Sequence, residues 1–338
     1  MLDLLVVGGG PVGLATALYA RRAGLEVEVL EPRAGVVDKA CGEGLMPSAV
    51  AALLELGVDP VGYPLRGIRY LAVGRTATAD FGAGRGRGVR RTVLHAALRQ
   101  ALADAGVAVR SHRVAVVEQD DAGVALDGLR ARYVVAADGL HSPLRRLLDL
   151  QARGHGPVRY GLRCHVATEP WGEHVEVHWA AGAEAYVTPV DHDLVGIAVL
   201  TDRRGPFSDH LAQFPDLAEK VAAGRCTPVR GAGPLRQRTR RRVAGRVLLV
   251  GDASGYVDAL TGEGIALGLR HARAAVAAVV ADRPQRYERD WRRLTAPHAG
   301  MTHVLLQATR VPALRRALVP AASRLPRVFS AAVDRLAG

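Results

Sequence analysis

Leu4-Leu5-Val6-Val7-Gly8-Gly9-Gly10-Pro11-Val12-Gly13-Leu14-Ala15-Thr16-Ala17-Leu18 stands near the start of the chain, and its reading decides the fold. Leu4 to Val7 form an apolar run of the length of a buried strand. Gly8, Gly10 and Gly13 follow as G-x-G-x-x-G, with Pro11 inside the turn, and an alanine- and leucine-rich helix comes after. The first glycine permits a tight turn. The second lets the backbone approach a pyrophosphate, and the third lets helix and strand pack closely. A second strand, Val27 to Leu30, ends at Glu31, where a carboxylate accepts hydrogen bonds from a ribose 2′-hydroxyl. Arg33, two residues on, reduces the repulsion that a 2′-phosphate would meet there. Strand, glycines, helix, strand and acid in this order predict a dinucleotide-binding βαβ unit.

Working outward, Thr92 to Ala105 repeats leucine at 94, 98 and 102 and reads as a helix. Val107 to Arg110, Ala115 to Glu118 and Val124 to Leu126 read as short strands. Tyr133 to Ala137 is a further buried strand that ends at Asp138-Gly139. The pattern then changes. Val158 to Val166, His174 to Trp179, Ala185 to Val190 and Val195 to Leu200 are strand candidates joined by short polar breaks, which predicts an antiparallel sheet and a second domain. Arg246 to Val250 returns to a buried parallel strand, and Glu263 to Val280 to a long helix. The expected organisation is therefore a discontinuous cofactor domain, 1–156 with 246–285, a substrate domain, 157–245, and a helical C-terminal segment, 286–338.

The chain has 338 residues, 49% of them hydrophobic, enough for a full core. Its formal charge is +12, carried almost wholly by arginine, since Lys39 and Lys220 are the only lysines. Such a charge favours anionic partners. The densest basic stretch, Gly82 to Arg91, lacks interleaved aromatics for base stacking, so nucleic acid is not expected as a partner. Three scattered cysteines, at 41, 164 and 226, make neither a disulfide framework nor a metal-ligand set. With a glycine turn at residue 8 and no apolar run of spanning length, the expectation is a cytoplasmic protein without signal peptide or transmembrane segment. The arginine-rich C-terminal segment reads as helix packed on the body, with peripheral contact to a membrane surface as the alternative. Monomer and dimer both remain open.

Two further motifs follow strands. Asp138-Gly139 begins a loop that reaches Arg145, and Gly251-Asp252 precedes Thr261-Gly262-Glu263-Gly264-Ile265, which opens the long helix. The exposed N–H groups at that helix end suit a negatively charged flavin edge. With these three motifs in order, the chain resembles the FAD-dependent superfamily that includes p-hydroxybenzoate hydroxylase (the class A flavoprotein monooxygenases), geranylgeranyl reductases and flavin-dependent halogenases. The resemblance covers roughly 1–145 and 246–285. It implies an α/β fold of the glutathione-reductase-2 type, with a Rossmann-like FAD-binding domain and an antiparallel-sheet substrate domain. It implies tightly but non-covalently bound FAD, with NAD(P)H as a transient reductant. On these motifs the cofactor residues are Gly8, Gly10, Pro11, Gly13, Glu31, Arg33, Cys41, Gly42, Arg91, Asp138, Gly139, Arg145, Gly251, Asp252, Gly262, Gly264 and Ile265, with Val116 at the adenine edge. No metal is implied.

The chemistry is set by what meets the flavin. Cys41-Gly42-Glu43-Gly44-Leu45 and Thr261-Gly262-Glu263-Gly264-Ile265 resemble loops of the reductase branch, and the first is also similar to loops of polyketide-tailoring monooxygenases. Glu184 to Pro189 departs from the aromatic motif of the isoprenoid reductases, echoing it only at Tyr186 and Pro189. The halogenases' tryptophan-x-tryptophan and catalytic-lysine signatures are absent. The leading expectation is a monooxygenase of secondary metabolism that oxidises an aromatic or polyketide-like molecule with NAD(P)H and O2 through a flavin C4a-hydroperoxide. A geranylgeranyl-reductase-like alkene reductase and a non-catalytic flavin-binding partner protein are the alternatives. No catalytic residue is assigned. Tyr186, His178, Glu176 and Cys41 are substrate-cavity candidates, with His165 beside them. His174, Glu176 and His178 alternate on one strand face, which reads either as cavity wall or as a solvent-facing sheet edge.

Overall fold

The computed structural model describes residues 1–72, 74–153, 156 and 158–337. Its central sheet has five parallel strands in the order Val247–Leu249, Leu129–Ala136, Leu2–Val7, Val27–Leu30, Val109–Arg110. Val243–Ala244 pairs antiparallel on one edge, and Val117–Gln119 and Val124–Leu126 hang from Leu129–Ala136 as a hairpin. The Leu4-to-Val7 run is apolar throughout because both faces are covered. Leu4 and Val6 pack under helices Pro11–Arg22, Arg91–Asp104 and Gly264–Val280, while Leu5 and Val7 pack against Val124, Leu126, Leu144 and Leu249. This is the α/β Rossmann-like architecture expected from the glycine turn, completed by a strand and a helix from beyond residue 240.

The second sheet is larger than expected and is mixed. Seven strands run in the order Arg230–Ala232, Tyr160–Ala167, Leu194–Thr201, Ala183–Asp191, His174–Ala180, Gly67–Ala72, Arg75–Asp80. Two of them come from inside the expected cofactor domain, and Gly67–Ala72 pairs in parallel with His174–Ala180. His174–Ala180 is thereby an interior strand, and the reading of its polar face as a solvent-facing edge is corrected. After the strand Leu194–Thr201 come two short helices, Phe207–Leu211 and Pro215–Val221, separated at Pro215. The expected strand over 115–118 starts only at Val117.

The sheet's two faces differ. Cys164, Val166, Ala185, Val187 and Ile197 pack under Phe214, Leu217 and Val221. On the other face Ile68, Val175, Val177, Trp179 and Tyr186 meet Leu260 and three C-terminal helices, Arg286–Arg310, Pro312–Arg324 and Pro326–Ala337. Breaks before Pro312 and Pro326 fold these helices back on one another. A small third sheet, Gly44–Leu45, Gly86–Gly88 and Tyr63–Leu65, joins the two large ones.

The glycine turn is sterically closed. A Cβ at Gly13 would stand 1.8 Å from the Gly8 carbonyl oxygen, and Gly8 itself takes φ +106°. Gly13→Ala should therefore push the helix off the strand, at a cost of about 1–3 kcal/mol or more. Urea unfolding of the apoprotein measures this, and an unchanged midpoint would show that the turn has slack.

Candidate active site

Gly10 caps the helix Pro11–Arg22 in extended conformation with no side-chain cap, so the first-turn N–H groups are left for an anion. Glu31 is buried at the end of the second strand and accepts the Gly9 N–H at 2.8 Å. Its carboxylate also accepts Arg33 Nε at 2.7 Å and Nη2 at 2.9 Å. Although burial opposes ionisation, the Arg33 and Gly9 donors hold Glu31 below the ordinary carboxyl range. Arg33 is half exposed, so the guanidinium that now occupies Glu31 lies on its solvent side.

Two residues that the motifs do not mark complete this end. His95 Nε2 lies 2.8 Å from the Gly9 carbonyl, and its Nδ1 accepts the Val37 N–H at 3.4 Å, which ties the turn to the Gly35–Pro47 loop. Burial lowers its pKa, consistent with that neutral tautomer. Lys39 folds back so that its Nζ is 3.2 Å from the position a Gly139 Cβ would take. Burial first, and then Arg33 and Arg91, push its pKa down. Lys39, Arg33 and Arg91 thus bring positive charge to the turn.

Asp138 Oδ2 accepts the Leu144 N–H at 2.9 Å, whereas Oδ1 is buried without a partner among the described residues. Gly139 beside it takes φ +86°. Burial raises the Asp252 carboxyl, against the pull of Arg91, Lys39 and Arg145. A carboxyl so placed accepts a cofactor hydroxyl readily. Gly262 takes φ +69°, and Gly264 and Ile265 open the helix Gly264–Val280. Bare N–H groups, a buried Asp138 oxygen without a partner among the described residues and glycines where a side chain would intrude fit the ADP and ribityl parts of FAD.

Two expected cofactor contacts, Arg145 and Val116, are placed differently, and Cys41 stays in its loop. Arg145 is completely buried, with its Nε on Gln151 (2.6 Å), Nη1 on the carbonyls of Asp252 and Ala253 (3.3 and 2.9 Å) and Nη2 on the Leu140 carbonyl and Gln237 (2.7 and 3.1 Å). Its five N–H groups are spent on protein, so it braces the loops and does not reach a phosphate. Val116 is exposed, and its N–H is taken by Asp127 at 2.8 Å. Cys41 is half-buried, its thiol raised by desolvation and its sulfur accepting the Glu43 N–H at 3.4 Å, which makes it a loop contact and a poor nucleophile.

The flavin end is framed by two loops anchored on the same strand. Thr188 Oγ1 donates to the Gly42 carbonyl at 2.8 Å, and Tyr186 Oη donates to the Leu260 carbonyl at 2.8 Å. Glu43, buried at φ +59°, accepts the Arg91 N–H at 2.7 Å on Oε1 and meets His165 Nε2 at 2.7 Å on Oε2. His165 is therefore part of the loop's anchor. Tyr186 lies on the near face with Val177 and Trp179. Glu176 and His178 do not. They bond each other at 3.1 Å, and Glu176 accepts Trp171 Nε1 at 3.0 Å on the far face, where His178 stacks edge-on against Phe214. Sequence alternation put these two on one face but could not say which.

The near face also holds a buried triad that the motifs did not reveal. Arg159 pairs with Glu184 and, at 3.3 Å, with Asp258. One guanidinium cannot neutralise two buried carboxylates, and desolvation with the Asp258 charge pushes Glu184 up to about 7. A cavity of about 400 Å³ adjoins it, lined by Asp252, Tyr256, Asp258 and Gly264 on one side and by Trp291 and His298 of the helix Arg286–Arg310 on the other. Among the described residues no group of three or more His, Cys, Asp or Glu could hold a metal ion, and no helix is long and apolar enough to cross a membrane.

Residues 1–195 match the family model described as FAD binding domain, and the chain belongs to that family of FAD-dependent oxidoreductases. Among curated proteins it is similar to menaquinone reductase of Mycobacterium tuberculosis, with 31% identity over 81% of this chain and 75% of that one. It is also similar to para-nitrophenol 4-monooxygenase of a Pseudomonas species, with 28% identity over 82% and 77%. A crystal structure titled flavoprotein/dehydrogenase from Cytophaga hutchinsonii superposes with a TM-score of 0.87 over 99% of this chain and 92% of that one, at 16% identity, which shows a shared fold.

Two measurements check the site. Asp252→Ala should weaken FAD binding by about 10- to 100-fold, the worth of one hydrogen bond to a charged group, by flavin-fluorescence titration. Wild-type affinity would remove Asp252 from the cradle. Glu184 stabilises the fold only while protonated. That contribution is whole below the ordinary value of 4.5 and is lost as pH rises toward about 7. Between pH 5 and 8, wild-type protein should therefore lose more urea stability than Glu184→Gln, and parallel pH profiles would show that Glu184 does not titrate there.

Proposed function

We propose that this protein is an FAD-dependent reductase of a carbon–carbon double bond in a largely apolar molecule, of the kind formed by an isoprenoid chain on a quinone or other aromatic head. The observation that carries this is the near face of the mixed sheet. Beside the loops at Gly42–Gly44 and Leu260–Gly262, Met46, Val175, Val177, Trp179 and Leu306 pack in one buried apolar cluster, so a substrate admitted to this face would meet hydrocarbon. Glu176 and His178, two of the expected substrate-cavity residues, face away. The similarity to a menaquinone reductase agrees with this reading, as do the Cys41–Leu45 and Thr261–Ile265 loops.

FAD, when bound, would take two electrons from a reductant, for which NAD(P)H is the proposal, and deliver them as hydride. The chain's own groups do the rest. The turn at Gly262–Gly264 presents backbone N–H donors to the flavin edge, and the Gly42 loop is locked by Thr188, Glu43 and His165 so that the face beside it stays fixed and dry. The remaining proton needs a donor at the near face. Glu184 is the carboxyl held nearest neutrality there, and once it has given up its proton its carboxylate still faces the Arg159 guanidinium, which limits the cost of the charge left behind. Residues 67–80 belong with 157–245 in the substrate-binding unit on this reading.

The same triad supports a second reading, the aromatic monooxygenase. A titratable carboxyl beside Tyr186 can also receive the proton of a phenol, and the similarity to para-nitrophenol 4-monooxygenase points the same way. One experiment separates the two. FAD-loaded protein is reduced without oxygen and mixed with a quinone bearing an unsaturated isoprenoid tail, and the product is weighed. With the quinone head reoxidised in air before weighing, a lasting gain of two hydrogens in the tail is expected, with flavin reoxidation in the anaerobic step. A gain that vanishes on reoxidation is reduction of the head alone and counts against the double-bond reading. No reaction there, with oxygen incorporated into a phenol once air is admitted, would overturn the reductase in favour of the monooxygenase.

A further inference from the structure

The C-terminal helices have two faces, and the site described above uses only one. Leu306, Val319, Phe329 and Val333 are buried against the mixed sheet and close its near face. Outward, the same helices expose Val304 (67%), Val311 (46%), Leu314 (52%), Leu325 (56%) and Val328 (64%). Of the fourteen large apolar side chains exposed among the described residues, these five fall within one stretch of 25 residues, 304–328, so the exposure is concentrated. Val311 and Leu314 sit at one proline corner, and Leu325 and Val328 at the other. Such an outer face is not needed to hold the core.

Charge says what covers it. Residues 303–337 carry arginines at 310, 315, 316, 324, 327 and 335, and a single acidic residue, Asp334. Asp334 is already engaged, since it accepts the Gly82 N–H at 2.7 Å. Arg310, Arg316, Arg324 and Arg327 are exposed beside the apolar corners. An apolar patch edged by one sign of charge fits a surface that is anionic outside and hydrocarbon within. Single-stranded nucleic acid would want exposed rings, and the one aromatic residue of this stretch, Phe329, is buried. We propose that the outer face of the helices over residues 304–328 docks this protein onto an anionic lipid bilayer, with arginines at the headgroups and the valine and leucine corners in the interface. The proposal goes beyond the reductase reading and does not depend on it.

The test is flotation of the full FAD-loaded chain with vesicles of phosphatidylcholine alone or of phosphatidylcholine with a quarter phosphatidylglycerol. Binding should be confined to the anionic vesicles and weaken with salt. Arg316→Glu with Arg324→Glu should lower it by at least about tenfold, at roughly fivefold per lost cation. Val311→Ser with Leu314→Ser leaves the charge unchanged and should still cost several-fold, whereas Val61→Ser, another exposed valine, should cost nothing. Flavin content and thermal melting of each variant confirm folding. Absence of binding to anionic vesicles overturns the proposal. So does binding indifferent to Val311 and Leu314, which would mean attraction to any polyanion, and so does tighter binding to a single-stranded oligonucleotide than to vesicles. None of these readouts uses turnover, so their failure is separate from failure of the reductase assignment.

Discussion

One buried guanidinium holds the cofactor cradle together. Arg145 sits on the short helix after Asp138-Gly139, and its donors reach the loop at Leu140, the Asp252–Ala253 turn, Gln151 and Gln237. These partners span more than a hundred residues of sequence, yet they meet at one side chain. A charge taken out of water is costly unless every donor is satisfied. Here the satisfaction comes almost wholly from backbone and amide oxygens, with Asp138 and Asp252 nearby as counter-charge. The turn that carries Asp252 is therefore set in position by a residue that need not touch the cofactor.

A second constraint acts across the interface of the two large sheets. Gly88 can have no side chain, because a Cβ there would meet the Pro189 carbonyl oxygen at 1.7 Å. The small sheet that carries Gly44 is thus pressed directly onto the strand Ala183–Asp191. Thr188 and Tyr186 of that strand then reach Gly42 and Leu260. Both loops that frame the flavin end answer to one strand, so a shift of the substrate-binding sheet moves both together.

The cofactor half of this arrangement was legible because its signals are local. A four-residue apolar run, three glycines and an acid at the end of the next strand each report a constraint acting over a few residues. The substrate half depends on pairings that leave no local trace. Gly67–Ala72 joins His174–Ala180 across about a hundred residues, and only that pairing turns His174–Ala180 from an edge into an interior strand. Alternation correctly put Glu176 and His178 on one face, but period two is blind to which face is which. Arg145 shows the same limit. Its spacing from Asp138 is visible in sequence, but the acceptors that consume its donors are far along the chain. Arg159, Glu184 and Asp258 lie in three separate segments, and no motif links them.

The division of the central sheet between the two ends of the chain also bears on synthesis. The strand Leu129–Ala136 finds its outer parallel neighbour only in Val247–Leu249. At about 5–20 residues per second, a ribosome needs several seconds to some tens of seconds to make the intervening stretch. Through that interval the nascent chain presents an unpaired apolar strand edge, the type of surface that recruits other chains. The glycine turn at the very start can form early, but it cannot hold a cofactor against Asp252 until the ribosome has passed that residue. A cofactor held at Asp252 would thus be captured late in the life of the nascent chain, and the unfinished sheet is its period of greatest exposure to aggregation.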